Sequence, residues 1–414
     1  MRRRRFVRQL AGAAALPLLP SAPEGFAGLR RDLARAPDDR AYWKAVRAGF
    51  MLRPGLSHLN CGTIGATPRV VVEAHAAALW DVESDPQANV FGAPSHRMEE
   101  VRAHAADFLG ATLDEVALTR NTTEGMNEVA RGLDLRRGDQ VLTTTHEHPG
   151  GSVCWEHLAR RIGVEIVRID MPRTVSGADE ILELVSSHIT PRTRVCSFSH
   201  VTTVTGLVMP MAAIAKLTRP RDILLVCDGA QAPGMLNVDV AALGVDTYAS
   251  SSHKWMLAPK GSGLLYIRKA VQDRVRPLFL ESGYRAYTAS SGTRNVPAIL
   301  AHGAAMEFHN TIGRDRVEAR CRALSRHLRG RLEHVPDVTI LTPVDERLSG
   351  GIVTISLDRG NARAVRSTMY RDYGIVLKAG RAEYNAIRVS THVFNDEDEI
   401  DRAVDILARV MAAG

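Results

Sequence analysis

Residues 194–228 read RVCSFSHVTTVTGLVMPMAAIAKLTRPRDILLVCD. Arg194 to Ser199 and Ile223 to Cys227 are short apolar runs bounded by polar residues, the mark of strands covered on both faces. Met211 to Leu217, between them, reads as a crossover helix. One strand–helix–strand unit of this kind predicts a parallel sheet, and the same alternation continues in both directions. Upstream, Pro68 to Trp80, Ser95 to Leu109 and Thr123 to Gly132 read as helices, with strands at Val116–Thr119, Gln140–Thr144 and Val164–Ile169 and a helix at Ala178–His188. Downstream, Leu264 to Arg268 is a further strand. The expectation is an α/β fold, a mostly parallel sheet with helices on both faces.

After about Ser290 the texture changes. Helices are predicted at Val296–Asn310 and Arg314–Glu333, then a strand at Gly351–Leu357, a helix at Asn361–Tyr373, and strands at Ile375–Lys378 and Ile387–Ser390. A final helix is expected with Asn395 as its cap and Asp396, Glu397 and Asp398 in its first turn, where acids suit the dipole. This is a smaller α+β domain.

The chain has 414 residues, 45% hydrophobic and 24% charged, a globular composition that excludes disordered and collagen-like classes. Its formal net charge is +7, but residues 1–20 hold five arginines and no acid, so the remainder carries 7 − 5 = +2. The basic excess is therefore largely a leader. Arg2 to Arg5 and Arg8 precede a mildly apolar run, Leu10 to Leu19, too short to span a bilayer. Arg3-Arg4-Arg5-Phe6-Val7-Arg8 has the form of a twin-arginine export signal. Residues 1–27 are expected to be that signal, with Gly25-Phe26-Ala27 a candidate cleavage site, so the protein is expected in the periplasm or secreted, after passage through the twin-arginine machinery. Later residues predict neither stable membrane insertion nor a basic-aromatic stripe for nucleic acid. Five widely spaced cysteines without C-x-x-C predict neither a disulfide framework nor a zinc site.

Three signals fall at carboxyl ends of strands, where open α/β sheets place ligands. Asp228 follows a buried strand in Cys227-Asp228-Gly229-Ala230-Gln231. Lys254 stands in a run of small hydroxyls, Ser250-Ser251-Ser252-His253-Lys254. Arg120-Asn121-Thr122-Thr123-Glu124 is a polar turn opening a helix, where free N–H groups bind phosphate. Separately, a strand-end Asp is more often a turn residue and a lone lysine a surface charge. Together they describe one chemistry: a lysine that bonds a carbonyl cofactor, an acid that keeps a pyridine nitrogen protonated, and a phosphate cradle. The cofactor so described is pyridoxal 5′-phosphate.

From about Leu59 to the C-terminus the sequence resembles the fold-type I, class V aminotransferase family of pyridoxal-phosphate enzymes. The resemblance rests on L-N-C-G-T-I-G at 59–65, T-R-N-T-T-E-G-M-N at 119–127, H-E-H-P-G at 146–150, S-H-V-T at 199–202, D-G-A-Q-A-P-G at 228–234, S-S-H-K at 251–254, S-G-T-R-N at 291–295 and R-V-S-T-H-V-F-N at 388–395. It implies a seven-stranded sheet, with an N-terminal arm at 28–65, a large cofactor-binding domain at 66–290 and a small C-terminal domain at 291–414. It implies Lys254 as the cofactor-bonding residue and proton carrier, Asp228 against the pyridine nitrogen and His148 stacked on the ring. Thr122, Thr123, Ser251 and His253 match phosphate contacts, Gln231 and Thr203 match positions facing the ring hydroxyl, and Arg388 with Asn60 would hold the substrate α-carboxylate. The planar fork of an arginine suits that carboxylate. Gly292-Thr293 matches a pair that reaches the phosphate of the neighbouring subunit, which implies a homodimer with shared active sites.

Two departures narrow the resemblance. Cysteine desulfurases need a nucleophilic cysteine shortly before the carboxylate arginine, and Lys378 to Asn385 contains none. H-V-T and L-N-C-G-T-I-G look closer to the isopenicillin N epimerase-like branch, which includes an exported enzyme that tailors the glutamyl side chain of a siderophore. The expected substrate is an amino acid or aminoacyl metabolite, transformed at its α-carbon by transamination or epimerisation, with siderophore or peptide side-chain tailoring as one form of this. β-Elimination and a non-catalytic cofactor-binding role are the alternatives. A dinucleotide oxidoreductase would need G-x-G-x-x-G after the first strand, which is absent. His146 and His148 form H-x-H without a third spaced ligand, so no metal is expected.

Overall fold

The computed structural model describes residues 22–91, 94–276 and 293–413. The leader arginines and Gly292 lie outside the described residues, and the candidate cleavage site falls within helix α1 (Ala22–Ala34).

Helix α2 (Asp39–Ala48) and strand β1 (Ser57–His58) precede α3 (Arg69–Ser84) and α4 (Pro94–Leu109). Next come β2 (Val116–Thr119), α5 (Thr122–Gly132), β3 (Gln140–Thr144), α6 (Pro149–Ile162), β4 (Glu165–Ile169), α7 (Ala178–His188) and β5 (Thr193–Ser199). Helix α8 (Met211–Thr218) crosses to β6 (Leu224–Asp228), followed by β7 (Thr247–Ser251) and β8 (Gly263–Ile267). These strands form a seven-stranded sheet in the order β2-β8-β7-β6-β5-β3-β4. Only β8 runs against its neighbours, antiparallel to both β2 and β7. The carboxyl ends of β2, β3, β5, β6 and β7 therefore open on one edge of the sheet.

The stretch 194–228 behaves as its composition requires. Every residue of β6 is buried, with Leu225 and Cys227 packed into one hydrophobic cluster and Leu224 and Val226 into another. Alternate residues thus serve the two faces of a sheet covered on both. The first cluster also takes Ala301, Met306 and Phe308 of α9 (Val296–Ile312), which packs along α3 and α4.

Helix α10 (Arg314–Leu332) leads to β9 (Val338–Ile340), β10 (Ile352–Leu357), α11 (Ala362–Tyr373), β11 (Ile375–Val376), β12 (Lys378–Ala379), β13 (Ala386–Ser390) and α12 (Glu397–Ala412). A four-stranded antiparallel sheet, β12-β13-β10-β9, is backed by its own apolar cluster. The arm reaches this region: β1 pairs in parallel with β11, and Leu59 joins that cluster.

Several boundaries move for identifiable reasons. The expected single strand Ile375–Lys378 is two, because the chain turns at Leu377 from β1's edge to β13's. The last helix is capped by Asp396, whose carboxylate accepts from the Glu399 N–H at 2.8 Å; Asn395 instead accepts from the His392 N–H at 2.9 Å. Strand β7 (TYASS) was not expected because it lacks an apolar run, yet all five of its residues are buried. Helix α6 was hidden by Gly150 and Gly151 in its first turn.

Candidate active site

Five strand ends supply the site, and each matches a polar segment of the sequence. After β2, Asn121 caps α5, its side chain accepting from the Glu124 N–H at 2.9 Å. This leaves Thr122 and Thr123 at the helix N-terminus. Thr122 is tied to the end of β7: its N–H donates to Ser251 Oγ at 2.9 Å, and the two hydroxyls lie 2.8 Å apart. Hydroxyls and a helix N-terminus in this arrangement form an anion cradle.

After β3, His148 caps α6, with Nδ1 accepting from the Gly150 N–H at 3.0 Å. The ring is exposed but partly desolvated, and that desolvation, followed by the Lys254 charge, lowers its pKa. One helical turn on, a Cβ at Gly151 would strike Asp228 Oδ2, so only glycine lets the helix come this close. Asp228 ends β6, buried. Its Oδ1 accepts from the Ala230 N–H at 2.9 Å, and burial raises its pKa while that bond and the Lys254 charge oppose the rise.

Lys254 follows β7 and is partly buried. Desolvation brings its pKa down to about 8, against the attraction of Asp228 and with the help of Arg388. A population of free amine is therefore present near neutral pH, as carbonyl chemistry requires. Three residues on, Leu257 holds φ at 60°, an uncommon conformation for a branched residue and a form of strain that gathers at functional sites.

Arg388 of β13 is buried and approaches from the small sheet. It donates to Thr203 Oγ1, to Asn60 Oδ1 at 3.1 Å and to Thr63 Oγ1 at 2.9 Å. All three acceptors are neutral, and burial lowers the arginine's pKa to about 10. Gly62 lies against it: a Cβ there would sit 3.1 Å from Arg388 Nη2 and 2.9 Å from Ser390 Oγ.

The structure thus brings Lys254, Asp228, His148, Thr122, Thr123, Ser251, Thr203, Asn60 and Arg388 to the sheet's carboxyl edge. Two further residues have their own engagements. Gln231 donates to the Gly62 carbonyl at 2.8 Å and accepts from Trp255 Nε1 at 2.7 Å, so both ends of its amide are in use. Thr293 is exposed. His146 and His148 are not a pair, since His146 Nε2 meets Tyr384 Oη at 3.2 Å while His148 caps a helix.

The residues present fit an aldehyde cofactor with a phosphate. The buried polar atoms without a hydrogen-bond partner among the described residues include Ser252 Oγ, His253 Nδ1, Arg388 Nε and Ser390 Oγ, on or near Lys254 and Arg388 in sequence.

The sequence did not point to Glu147, between the two histidines of H-E-H-P-G. It accepts from Thr144 Oγ1 and from Ser199 Oγ, both at 2.6 Å, and burial pushes its pKa up to about 7, with the Asp228 charge adding to the rise. Its folded pKa lies above the ordinary 4.5, so the stability this carboxyl favours is complete below about pH 4.5 and lost as pH rises through about 7. Glu147→Gln should therefore gain stability over the wild-type protein between pH 5 and 8, by about 1–3 kcal/mol. Urea unfolding of both proteins across that range checks this; parallel curves would mean that Glu147 is ionised in the folded protein.

All five cysteines are buried and free. Cys61 donates from Sγ to the Lys254 carbonyl at 3.5 Å, and desolvation holds its thiol far above the usual range.

Comparison with known proteins agrees with this geometry. The family model "Aminotransferase class-V" matches residues 65–403. The isopenicillin N epimerase of Streptomyces clavuligerus is 31% identical over 391 residues, covering 89% of this chain and 98% of that protein. A cysteine desulfurase of Cronobacter sakazakii is 31% identical over 386 residues, covering 86% and 93%. Among solved structures, a mutant of C-DES with glycine covalently linked to its PLP cofactor superposes with a TM-score of 0.81 at 25% identity, covering 87% of this chain and 98% of that one. With a family model spanning most of its length and relatives above 30% identity at nearly full coverage, the chain belongs to the aminotransferase class-V family.

Proposed function

We propose that the chain binds pyridoxal 5′-phosphate and acts at the α-carbon of an amino acid or aminoacyl metabolite, as an aminotransferase or epimerase. The observation that carries this reading is the convergence of Lys254, Asp228 and Arg388 from two different sheets: an amine with lowered pKa, a buried acid and a buried guanidinium.

The cofactor, when bound, supplies an electron sink for charge developing at the substrate α-carbon. Thr122, Thr123 and Ser251 would hold its phosphate at the α5 N-terminus. Asp228, kept close by Gly151, would pair with its ring nitrogen, and His148 would cover its ring. Arg388 grips the substrate α-carboxylate in two places, which orients the Cα–H bond. Lys254 Nζ removes and returns the α-proton. Because Thr203, Asn60 and Thr63 already fix the guanidinium, little ordering is left for the moment of binding.

Desulfuration of free cysteine is not the favoured reaction. Lys378 to Asn385 holds no cysteine and the five thiols present are buried. The leader 1–27 is proposed to direct export of the folded protein by the twin-arginine route to the periplasm. Thr293, beside Gly292, is proposed to meet the cofactor phosphate of a second copy in a homodimer.

Incubation of the loaded enzyme with single amino acids in deuterated water tests the reaction. Exchange of the α-proton without net product means epimerisation, and appearance of a keto acid means transamination. Release of a β-substituent with no such exchange products would favour elimination. No exchange with any amino acid or aminoacyl compound would overturn the reading.

A further inference from the structure

Strand β12 pairs antiparallel with β13 so that Lys378 stands directly opposite Arg388. Directly opposed residues of such a pair project to the same face, with Cβ atoms about 5 Å apart, and like charges there are destabilising. The face in question is the one on which Arg388 meets Asn60, Thr63 and Thr203. A third cation is close: Arg366 of α11 donates from Nε to the Leu377 carbonyl at 3.3 Å.

Among the described residues, no carboxylate is among the charges that bear on Arg388 or Lys378. Arg388's side-chain partners are neutral, and the charges that bear on Lys378 are Arg388 and Arg366, both unfavourable to its ammonium. Elsewhere arginines commonly find acids, as Arg381 does with Glu383 at 3.2 Å and Arg371 with Asp372 at 2.6 Å. The Lys378 charge is also felt at His148 and Lys254, so it borders the space in which the reaction is proposed to occur.

One α-carboxylate answers one of these cations. We infer that Lys378 is a specificity-determining residue that receives a second carboxylate of the substrate, so that the site selects an amino acid, or an aminoacyl end, with an acidic group besides its α-carboxylate. This deepens the function proposed above and rests on it. A solvent-facing lysine at the sheet edge is suited to the role. It can reach for acidic side chains of differing length, while Arg388 stays fixed beneath it.

The test compares Lys378→Met with the wild-type holoenzyme. Glutarate and butyrate are titrated by calorimetry, and α-proton exchange is followed with glutamate and with glutamine. Glutarate should bind the variant about tenfold or more weakly, the worth of a charge-assisted bond, while butyrate binds equally to both. KM for glutamate exchange should rise with kcat little changed, and glutamine should be unaffected. The unliganded variant should melt no lower than wild type, because a repulsion has been removed.

Equal weakening of glutarate and butyrate would overturn the inference, since Lys378 would then share the α-carboxylate with Arg388. Unchanged binding of both, or a lowered melting temperature without ligand selectivity, would also overturn it. Failure of the wild-type enzyme to exchange either amino acid, with ligand binding as expected, would instead count against the proposed reaction.

Discussion

Lys254→Ala is expected to lose the visible absorbance of a lysine-bound aldehyde cofactor and to lower turnover by roughly 10⁴-fold, the upper end for a positioned proton carrier. The effect is large because the described residues around the site offer no substitute amine. Lys260 donates to the Gly65 carbonyl at 3.1 Å and to Thr67 Oγ1 at 2.9 Å, and Lys378 is held on the small sheet opposite Arg388. The fold should tolerate the change, since the packing at this turn comes from buried Trp255, Met256 and Leu257 rather than from the lysine. Absorbance spectra and exchange rates of the purified variant check the expectation. A variant that kept both would mean that another residue carries the chemistry.

Arg388→Ala is the second large effect. Removing one partner of a buried charge pair costs about 2–5 kcal/mol, roughly 30- to 5,000-fold in kcat/KM. The loss should appear with substrates that carry a free α-carboxylate, with the cofactor's absorbance intact. Arg388→Lys should recover only part of it, because an ammonium cannot reproduce a two-point grip. Steady-state kinetics of both variants decide this. If lysine restored full activity, the guanidinium would matter only as a charge, and the hydrogen bonds to Thr203, Asn60 and Thr63 would not be orienting it.

Much of this arrangement is readable from local sequence. Strands β5 and β6 announce themselves because both of their faces are buried, which leaves an uninterrupted apolar run. Asp228 is legible because it ends such a run, and Lys254 because it stands in a run of small hydroxyls. Strand β7 was hidden because its threonine and serines deny it the apolar composition of a buried strand, although all five of its residues are buried.

What stayed out of reach depends on distant pairing. The opposition of Lys378 and Arg388 requires a turn at Leu377 and a register across two strands, neither encoded by a local motif. Asn60 belongs to the arm in sequence but bridges to Ser390 in space, which is how it reaches Arg388. No local pattern sets Glu147 apart within H-E-H-P-G; only the approach of Thr144 and Ser199 reveals a buried carboxyl with a raised pKa.

The central claim, that Lys254 bonds the cofactor, is tested most directly by borohydride reduction of the purified holoenzyme followed by tryptic mapping. Modified Lys254 resists trypsin, so the expected product is one peptide running from Asp222 to Lys260 with the reduced pyridoxyl phosphate attached at Lys254. Attachment at any other lysine, or cleavage after an unmodified Lys254 in fully loaded protein, would contradict the account.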